Sequence, residues 1–369
     1  MPGILVNALP LMVVGTGVGR YLRGLYGALE AELDEGWSIG YFTGRSVDSG
    51  LPGCPAPGWR ERVGQLLWRM PTPIALRARL VRNGLQERRF ARLCGDWTVY
   101  HEAGYFPMPC GRREARIVFT MHDLSLLLHP EWHPAERVAF WKRHFAERVG
   151  WADAFCAVSE FTKRQMTEHL ALSPDRITVT PLGVDEAAFN RRDDLEAQAL
   201  LDKAGVSGGY LLFVGSGDPR KRLNHAVEVL ELLGWPLPLV VVGWSGWDHA
   251  RARGVVDIGY VSDRVLAQLY RRARLLLMPS EYEGFGLPVL EAMACGCPVL
   301  SSGAEALREV GGDATARVDT LDPRSFAEAV DALVGDDRRL ADMAAKGVAR
   351  AKQFSWQETA RKTLRAFRG

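Results

Sequence analysis

At 369 residues the chain is longer than a single hydrophobic core usually organises, and a composition that is 47% hydrophobic and 24% charged, with 38 Gly and 20 Pro, excludes a disordered or fibrous protein. No apolar run approaches the ~18 residues that span a bilayer, and the opening MPGILVNALP has neither a basic n-region nor a long apolar h-region, so a cytoplasmic protein is expected. The net charge of +2 conceals an asymmetry: residues 59–92 hold nine arginines against two glutamates, a stretch that would suit an anionic neighbour.

Short Val, Ile and Leu runs alternate with amphipathic stretches about a dozen residues long, the pattern of parallel strands covered by helices. In chain order, Ile4–Ala8 reads as a strand, Gly15–Gly19 as a glycine-rich loop, and Val18, Leu22, Leu25, Leu29 and Leu33 as one face of a helix. The arrangement repeats with a strand at Tyr210–Gly215, the loop SGDPRKR, and a helix bearing Leu223, Ala226, Val227, Leu230 and Leu233. Further strands are predicted at Leu237–Gly243, Asp257–Gly259, Leu275–Ser280 and Pro298–Ser302. The polar stretch Asn190–Asp194 places a linker within Pro181–Gly209, and the capping box Ser355-Trp-Gln-Glu358 starts a last helix over Trp356–Phe367. Cys54, Cys94, Cys110, Cys156, Cys295 and Cys297 form no CxxC pair and are expected as reduced structural thiols.

Gly15-Thr-Gly-Val-Gly19-Arg20 is GxGxG, its third glycine out of register with the GxGxxG dinucleotide fingerprint, and the next strand ends in Thr43-Gly44-Arg45 without an acid for a ribose. Two readings remain for this loop: backbone amides that approach a ligand at a helix N-terminus, or an ordinary tight turn. Arg220 and Lys221 lie between a strand and a helix, where the macrodipole repels cations, which favours an anion such as a diphosphate over a merely solvated loop. Glu283 and Glu291 follow the strand LLLMPS with E-x7-E spacing. They would bring two carboxylates to the carboxyl end of the sheet, although an acid in a first helical turn such as Glu291 is also stabilising by itself. His122, before Asp123 at a strand end, can be a cap or a functional group; His101 and Glu102 could line an acceptor cleft. Pro130 and Pro134 prevent the helix that would bring His129 and His133 to one metal ion.

Together, the E-x7-E pair, Arg220-Lys221 after FVGSGDP, GVGRYLRGL, His122 in FTMHDLSLLLHPEWHP, VSEFTKRQM and the closing FSWQETA resemble the retaining family 4 glycosyltransferases, and in particular their mannosyltransferase-type members. The resemblance covers most of the chain and fades between Gly44 and Gln86. It implies an α/β protein of GT-B architecture: two Rossmann-like domains facing across a cleft, an acceptor-binding one over 1–188 and a donor-binding one over 189–353, with a helix over 354–369 crossing back to the first.

The resemblance also implies roles. Arg220 and Lys221 would hold the diphosphate and Glu291 the ribose. Glu283 with Phe285, Gly286 and Leu287 would hold the hexose, His122 would meet the transferred sugar, and Gly17 and Gly19 would lie beside the diphosphate. No DxD occurs, no metal or other cofactor is expected, and no protein nucleophile is assigned. The implied activity moves a hexose, with mannose or a deoxyhexose favoured, from a nucleoside-diphosphate sugar of GDP-mannose type to a glycan or lipid-linked glycan, in polysaccharide or lipopolysaccharide assembly. The site would be cytoplasmic, with peripheral contact to an anionic membrane. A nucleotide-sugar 2-epimerase and a non-catalytic nucleotide-sugar-binding module are the alternatives; no nucleic acid is expected.

Overall fold

The computed structural model describes residues 2–13, 15–53, 72–95, 97–110, 115–203, 205–206, 209–234, 237–243 and 253–369. The chain divides into two compact units, one formed by Met1–Gly183 with Trp356–Gly369 and the other by Val184–Ser355.

In the first unit, β1 (Gly3–Asn7), β2 (Ser38–Phe42), β3 (Val47–Asp48), β4 (Val99–Glu102), β5 (Arg116–Met121), β6 (Ala154–Ala157) and β7 (Ile177–Val179) form a sheet in the order β3-β2-β1-β4-β5-β6-β7. It is parallel except for the short edge strand β3, which runs antiparallel to β2. The central strands are buried on both faces because crossover helices cover both. Strand order reverses between β1 and β4, so the loops leaving Asn7 and Glu102 diverge at the carboxyl edge, where parallel sheets bind ligands.

Helix α1 (Gly17–Leu29) begins at the expected glycines, and its N-cap Thr16 accepts the Gly19 N–H at 3.1 Å. The predicted loop is therefore largely the first turn of the helix. Helix α2 (Thr72–Leu93) starts just where Pro71 and Pro73 permit. It turns Leu76, Leu80 and Phe90 inward and ties itself to α3 (Ala135–Val149) by the pairs Arg79–Glu136 and Glu87–Arg148. The residues read together with it in the sequence, Trp59, Arg60, Arg62, Leu66, Leu67, Trp68 and Arg69, lie outside the described residues.

The second unit is a six-stranded sheet of β8 (Leu211–Val214), β9 (Leu239–Val242), β10 (Val255–Gly259), β11 (Leu275–Met278), β12 (Val299–Ser302) and β13 (Ala316–Val318), in the order β10-β9-β8-β11-β12-β13. Its reversal falls between β8 and β11, with α4 (Leu223–Leu233), α5 (Asp263–Arg272) and α6 (Leu287–Ala294) among the covering helices. Leu211, Phe213, Leu230, Leu239, Leu275 and Val330 form part of the buried core.

The last helix, α7 (Trp356–Arg368), belongs to the first unit and packs on α1. Gly24 makes that approach possible: a Cβ there would lie 2.1 Å from the Trp356 indole. Arg116 Nε reaches the Ala366 carbonyl at 3.0 Å, and Thr359 donates to the Pro181 carbonyl at 2.5 Å.

One sequence expectation fails here. Cys94 and Cys110 are joined in a disulfide, their Cα atoms 5.9 Å apart within the usual range, because α2 returns its C-terminus to the segment after β4. Cys156, Cys295 and Cys297 are free and buried, and Cys54 lies outside the described residues. The boundary between the units, at Gly183/Val184, lies inside the predicted Pro181–Gly209, and Asn190–Asp194 is held within the second unit. The Arg271 guanidinium holds the carbonyls of Ala188 and Asn190, Arg264 pairs with Asp194, and a helix follows over Leu195–Lys203.

Candidate active site

In the second unit the loop after β8 closes in a short turn at Pro219–Lys221. Asp218 caps it, accepting the Arg220 N–H at 3.2 Å and the Arg220 Nε–H at 3.1 Å. The Glu281 N–H donates to the Arg220 carbonyl at 2.8 Å, which stitches this turn to the loop after β11. Side chains complete the seam. Lys221 Nζ forms an ion pair with one oxygen of Glu283, and Arg220 Nη1 lies 3.4 Å from the other and 3.3 Å from the Tyr282 carbonyl. The sequence leaves the two cations without partners; the fold supplies Asp218 and Glu283, so the repulsion from the helix terminus is already offset. Any anion approaching Lys221 would have to compete with Glu283.

Gly286 has φ +110, outside the range that suits a side chain, and a Cβ there would meet Leu307 at 2.6 Å. It caps α6, whose second residue is Pro288, where a missing N–H costs nothing. Leu287 opens this helix, and Phe285 is buried edge-on against Phe354. One turn in, Glu291 is buried and accepts the Tyr270 hydroxyl at 3.2 Å, so this carboxylate is held from α5 as well as by its own helix. At the ends of β8 and β9 the backbones come close: a Cβ on Gly243 would lie 2.1 Å from the Gly215 carbonyl oxygen.

In the first unit His122 follows β5. Its imidazole donates to the Ala103 carbonyl, Tyr21 stands edge-on to it with ring centres 4.9 Å apart, and Nε2 is buried with no hydrogen-bond partner among the described residues. Because Nε2 is the unpartnered nitrogen, Nδ1 is the donor. Burial, only partly opposed by Asp123 and the Ala103 carbonyl, holds the ring down to about 4, so it is neutral near pH 7 with a free acceptor lone pair. Such a buried acceptor is ordinarily satisfied by an O–H or N–H donor, from an ordered water or a ligand. Gly19 is packed under Thr16 and the Pro10 carbonyl, whereas the space beside Gly17 is open.

His101 and Glu102 do not line a cleft; both are fully buried. His101 sits between the Tyr26 hydroxyl at 2.6 Å and Thr120 Oγ1 at 2.8 Å, and Thr120 in turn meets the Tyr21 hydroxyl at 3.0 Å. His129 stacks on Trp132 and His133 Nε2 pairs with Ser125 Oγ at 3.0 Å, two separate roles. Among the described residues no three His, Cys, Asp or Glu side chains converge on a point that could hold a metal ion. Sequence reasoning missed the Asn7–Glu102 pair and Tyr21, whose positions depend on which strands and helices become neighbours. It also missed Ser280, whose buried hydroxyl has no hydrogen-bond partner among the described residues and directly precedes Glu281; no signal in the sequence singles it out.

Residues 15–188 match the family model described as Glycosyltransferase Family 4, and residues 205–350 match Glycosyl transferases group 1. The chain is 31% identical, over 97% of its own length and 97% of its relative's, to O-antigen chain mannosyltransferase B of Escherichia coli. The chain belongs to glycosyltransferase family 4. Among solved structures this glycosyltransferase is similar to sucrose-phosphate synthase from Thermosynechococcus elongatus, with a TM-score of 0.68 at 21% identity over 100% of this chain and 98% of that one. It is also similar to Anabaena HepE in complex with UDP and glucose, with a TM-score of 0.68 at 15% identity over 99% of both chains. These likenesses show the fold, an α/β two-domain architecture of GT-B type.

Proposed function

We propose that this family 4 glycosyltransferase moves mannose, or a related deoxyhexose, from a GDP-sugar to a hydroxyl of a glycan or lipid-linked glycan in surface polysaccharide assembly, with retention of anomeric configuration. One observation carries the reading: Arg220 and Lys221 are locked to Glu283 at the switch point of the second sheet, with Glu291 on the helix that follows. Departure of a nucleoside diphosphate develops negative charge, and two guided cations with nearby amides stabilise that charge as it forms. Glu283, released from Lys221 by the diphosphate, becomes an acceptor for sugar hydroxyls. Glu291, oriented by Tyr270, accepts from the ribose. The neutral His122 offers Nε2 to a hydroxyl of the transferred sugar. The choice of mannose rests on the 31% identity to an O-antigen mannosyltransferase.

Turnover of labelled nucleotide sugars tests this. GDP-mannose should be consumed only when a hydroxyl acceptor is present, and a strong chelator should leave the rate unchanged. Consumption without acceptor and with inversion at C2 would establish an epimerase; binding without turnover would establish a sugar-nucleotide-binding module.

A membrane-surface site of action accords with α2. Ile74, Val81 and Leu85, at helical spacing on one face, are 55%, 64% and 48% exposed, and the exposed Arg77, Arg82, Arg88 and Arg89 flank them. No helix among the described residues is long and apolar enough to cross a membrane. Arg79, by contrast, is spent on Glu136. Binding to acidic liposomes should fall with salt and with Arg77→Gln, Arg82→Gln and Arg88→Gln together, at about 1 kcal/mol per arginine. Sedimentation indifferent to both would remove the membrane from the proposal.

A further inference from the structure

Glu102 ends β4 in the interior of the first unit, where an isolated carboxylate is costly. Its donors are neutral: Asn7 Nδ2 reaches both oxygens at 2.9 Å, the Tyr100 hydroxyl donates to Oε2, and the backbone N–H groups of Ala103 and Gly104 turn back onto it. Asn7 arrives from β1, whose register with β4 pairs Val6 with His101 and brings the next two residues side by side. Gly104 carries no side chain because a Cβ would lie 2.7 Å from Glu102 Oε1. The peptide so gripped is the one whose carbonyl receives the His122 imidazole, and the far nitrogen of that ring is the orphan acceptor.

We propose that Glu102 is a positioning residue that sets the tautomer of His122: by clamping the Ala103–Gly104 backbone it aims the Ala103 carbonyl at Nδ1, keeps the proton there, and leaves Nε2 as an acceptor. Asn7 completes the clamp from the neighbouring strand. A ring that lost the Ala103 carbonyl could carry its proton on Nε2 instead and would then present a donor where a hydroxyl needs an acceptor. The tautomer follows from this geometry alone; only its consequence for turnover rests on the transfer reading above.

The test uses the full chain with 15N-labelled histidine, the His122 ring signals being identified by their loss in His122→Ala. At neutral pH the parent should show a protonated Nδ1 and an unprotonated Nε2. Glu102→Leu, which fills the space without accepting, should give a mixture of tautomers. Gly104→Ala, which keeps the carboxylate but crowds it, should shift the ring in the same direction, and it decides the matter if the leucine variant does not fold. Glu102→Gln retains an acceptor for the two amides and should restore the parent pattern. With a turned-over donor, Glu102→Leu and Gly104→Ala should lower kcat by about tenfold with KM for the donor nearly unchanged. Parent-like His122 signals in the folded Leu or Ala variant would overturn the assignment. A parent that turns over no donor, yet shows the tautomer and its loss, would overturn the transfer reading and leave this one standing.

Discussion

The polar clusters of the two units solve opposite electrostatic problems. In the second unit Arg220, Lys221, Asp218 and Glu283 form a charged cluster that is already balanced. In the first, Tyr26, His101, Thr120 and Tyr21 form a buried chain of neutral hydrogen bonds, and His122, beside Tyr21, lends no charge. An anion is best met by cations whose resting partner can be exchanged for it, since bare buried charge is expensive. A sugar hydroxyl needs only a directional acceptor, and there a neutral group kept dry does more than a charge that water would share.

The sharpest way to break this contrast is to remove the exchangeable charges. Arg220→Ala and Lys221→Ala should each weaken nucleoside diphosphate binding by about 1.5 to 3 kcal/mol in calorimetry and leave nucleoside binding nearly unchanged. Glu283→Gln should act the other way on the free diphosphate, tightening it by removing the competitor, while it weakens binding of the intact sugar donor. If both ligand types respond equally to all three, the cluster is structural.

Next in size, His122→Ala should lower kcat by roughly tenfold to a hundredfold at nearly constant donor affinity. Because burial holds that ring to about 4, the parent enzyme should also show no acid limb near 6.5 attributable to it. A loss confined to KM would make His122 a binding residue only. Glu291→Ala should weaken ribonucleotides by about tenfold and 2'-deoxyribonucleotides less, because the latter already lack a partner. Equal penalties would assign the carboxylate to Tyr270 and its helix alone.

A separate effect is on stability against pH, and its sign differs between groups of the same unit. His101 and His122 are held by burial to about 3 and about 4, below their ordinary 6.5, so the unfolded chain takes up more protons as pH falls through that window and stability drops. Glu102 is pushed by burial from 4.5 up to about 7, so it costs stability as pH rises through that interval. Urea unfolding of Glu102→Gln between about pH 4 and about pH 8 should keep the acid limb and lose the alkaline one. An unchanged alkaline limb would show that the carboxylate does not titrate there.

What could be read in advance followed from locality. The strands at Ile4–Ala8, Leu275–Ser280 and Pro298–Ser302 announce themselves by composition, and Arg220, Lys221 and Glu283 by their place in strand-to-helix loops, which the fold has leaving β8 and β11, with Glu291 one turn into the helix that follows. What could not be read depends on neighbours remote in sequence. Asn7 meets Glu102 across 95 residues, Arg79 meets Glu136 across 57, and Cys94 meets Cys110 only because the long helix returns to the loop after β4. The pairing of Lys221 with Glu283, 62 residues apart, belongs to the same class, and for that reason the two cations looked unopposed.

The placement of Trp356–Gly369 in the first unit bears on how the protein is made. As the chain emerges from a ribosome, Val184–Ser355 is complete before the helix that lies against Gly24, Arg116 and Pro181 has been synthesised. The unit that begins first lacks the helix that covers α1 until Trp356–Gly369 is made, whereas Val184–Ser355 carries all of its own elements. A released chain truncated after Ser355 should therefore resist protease over the later residues and be cut within the earlier ones.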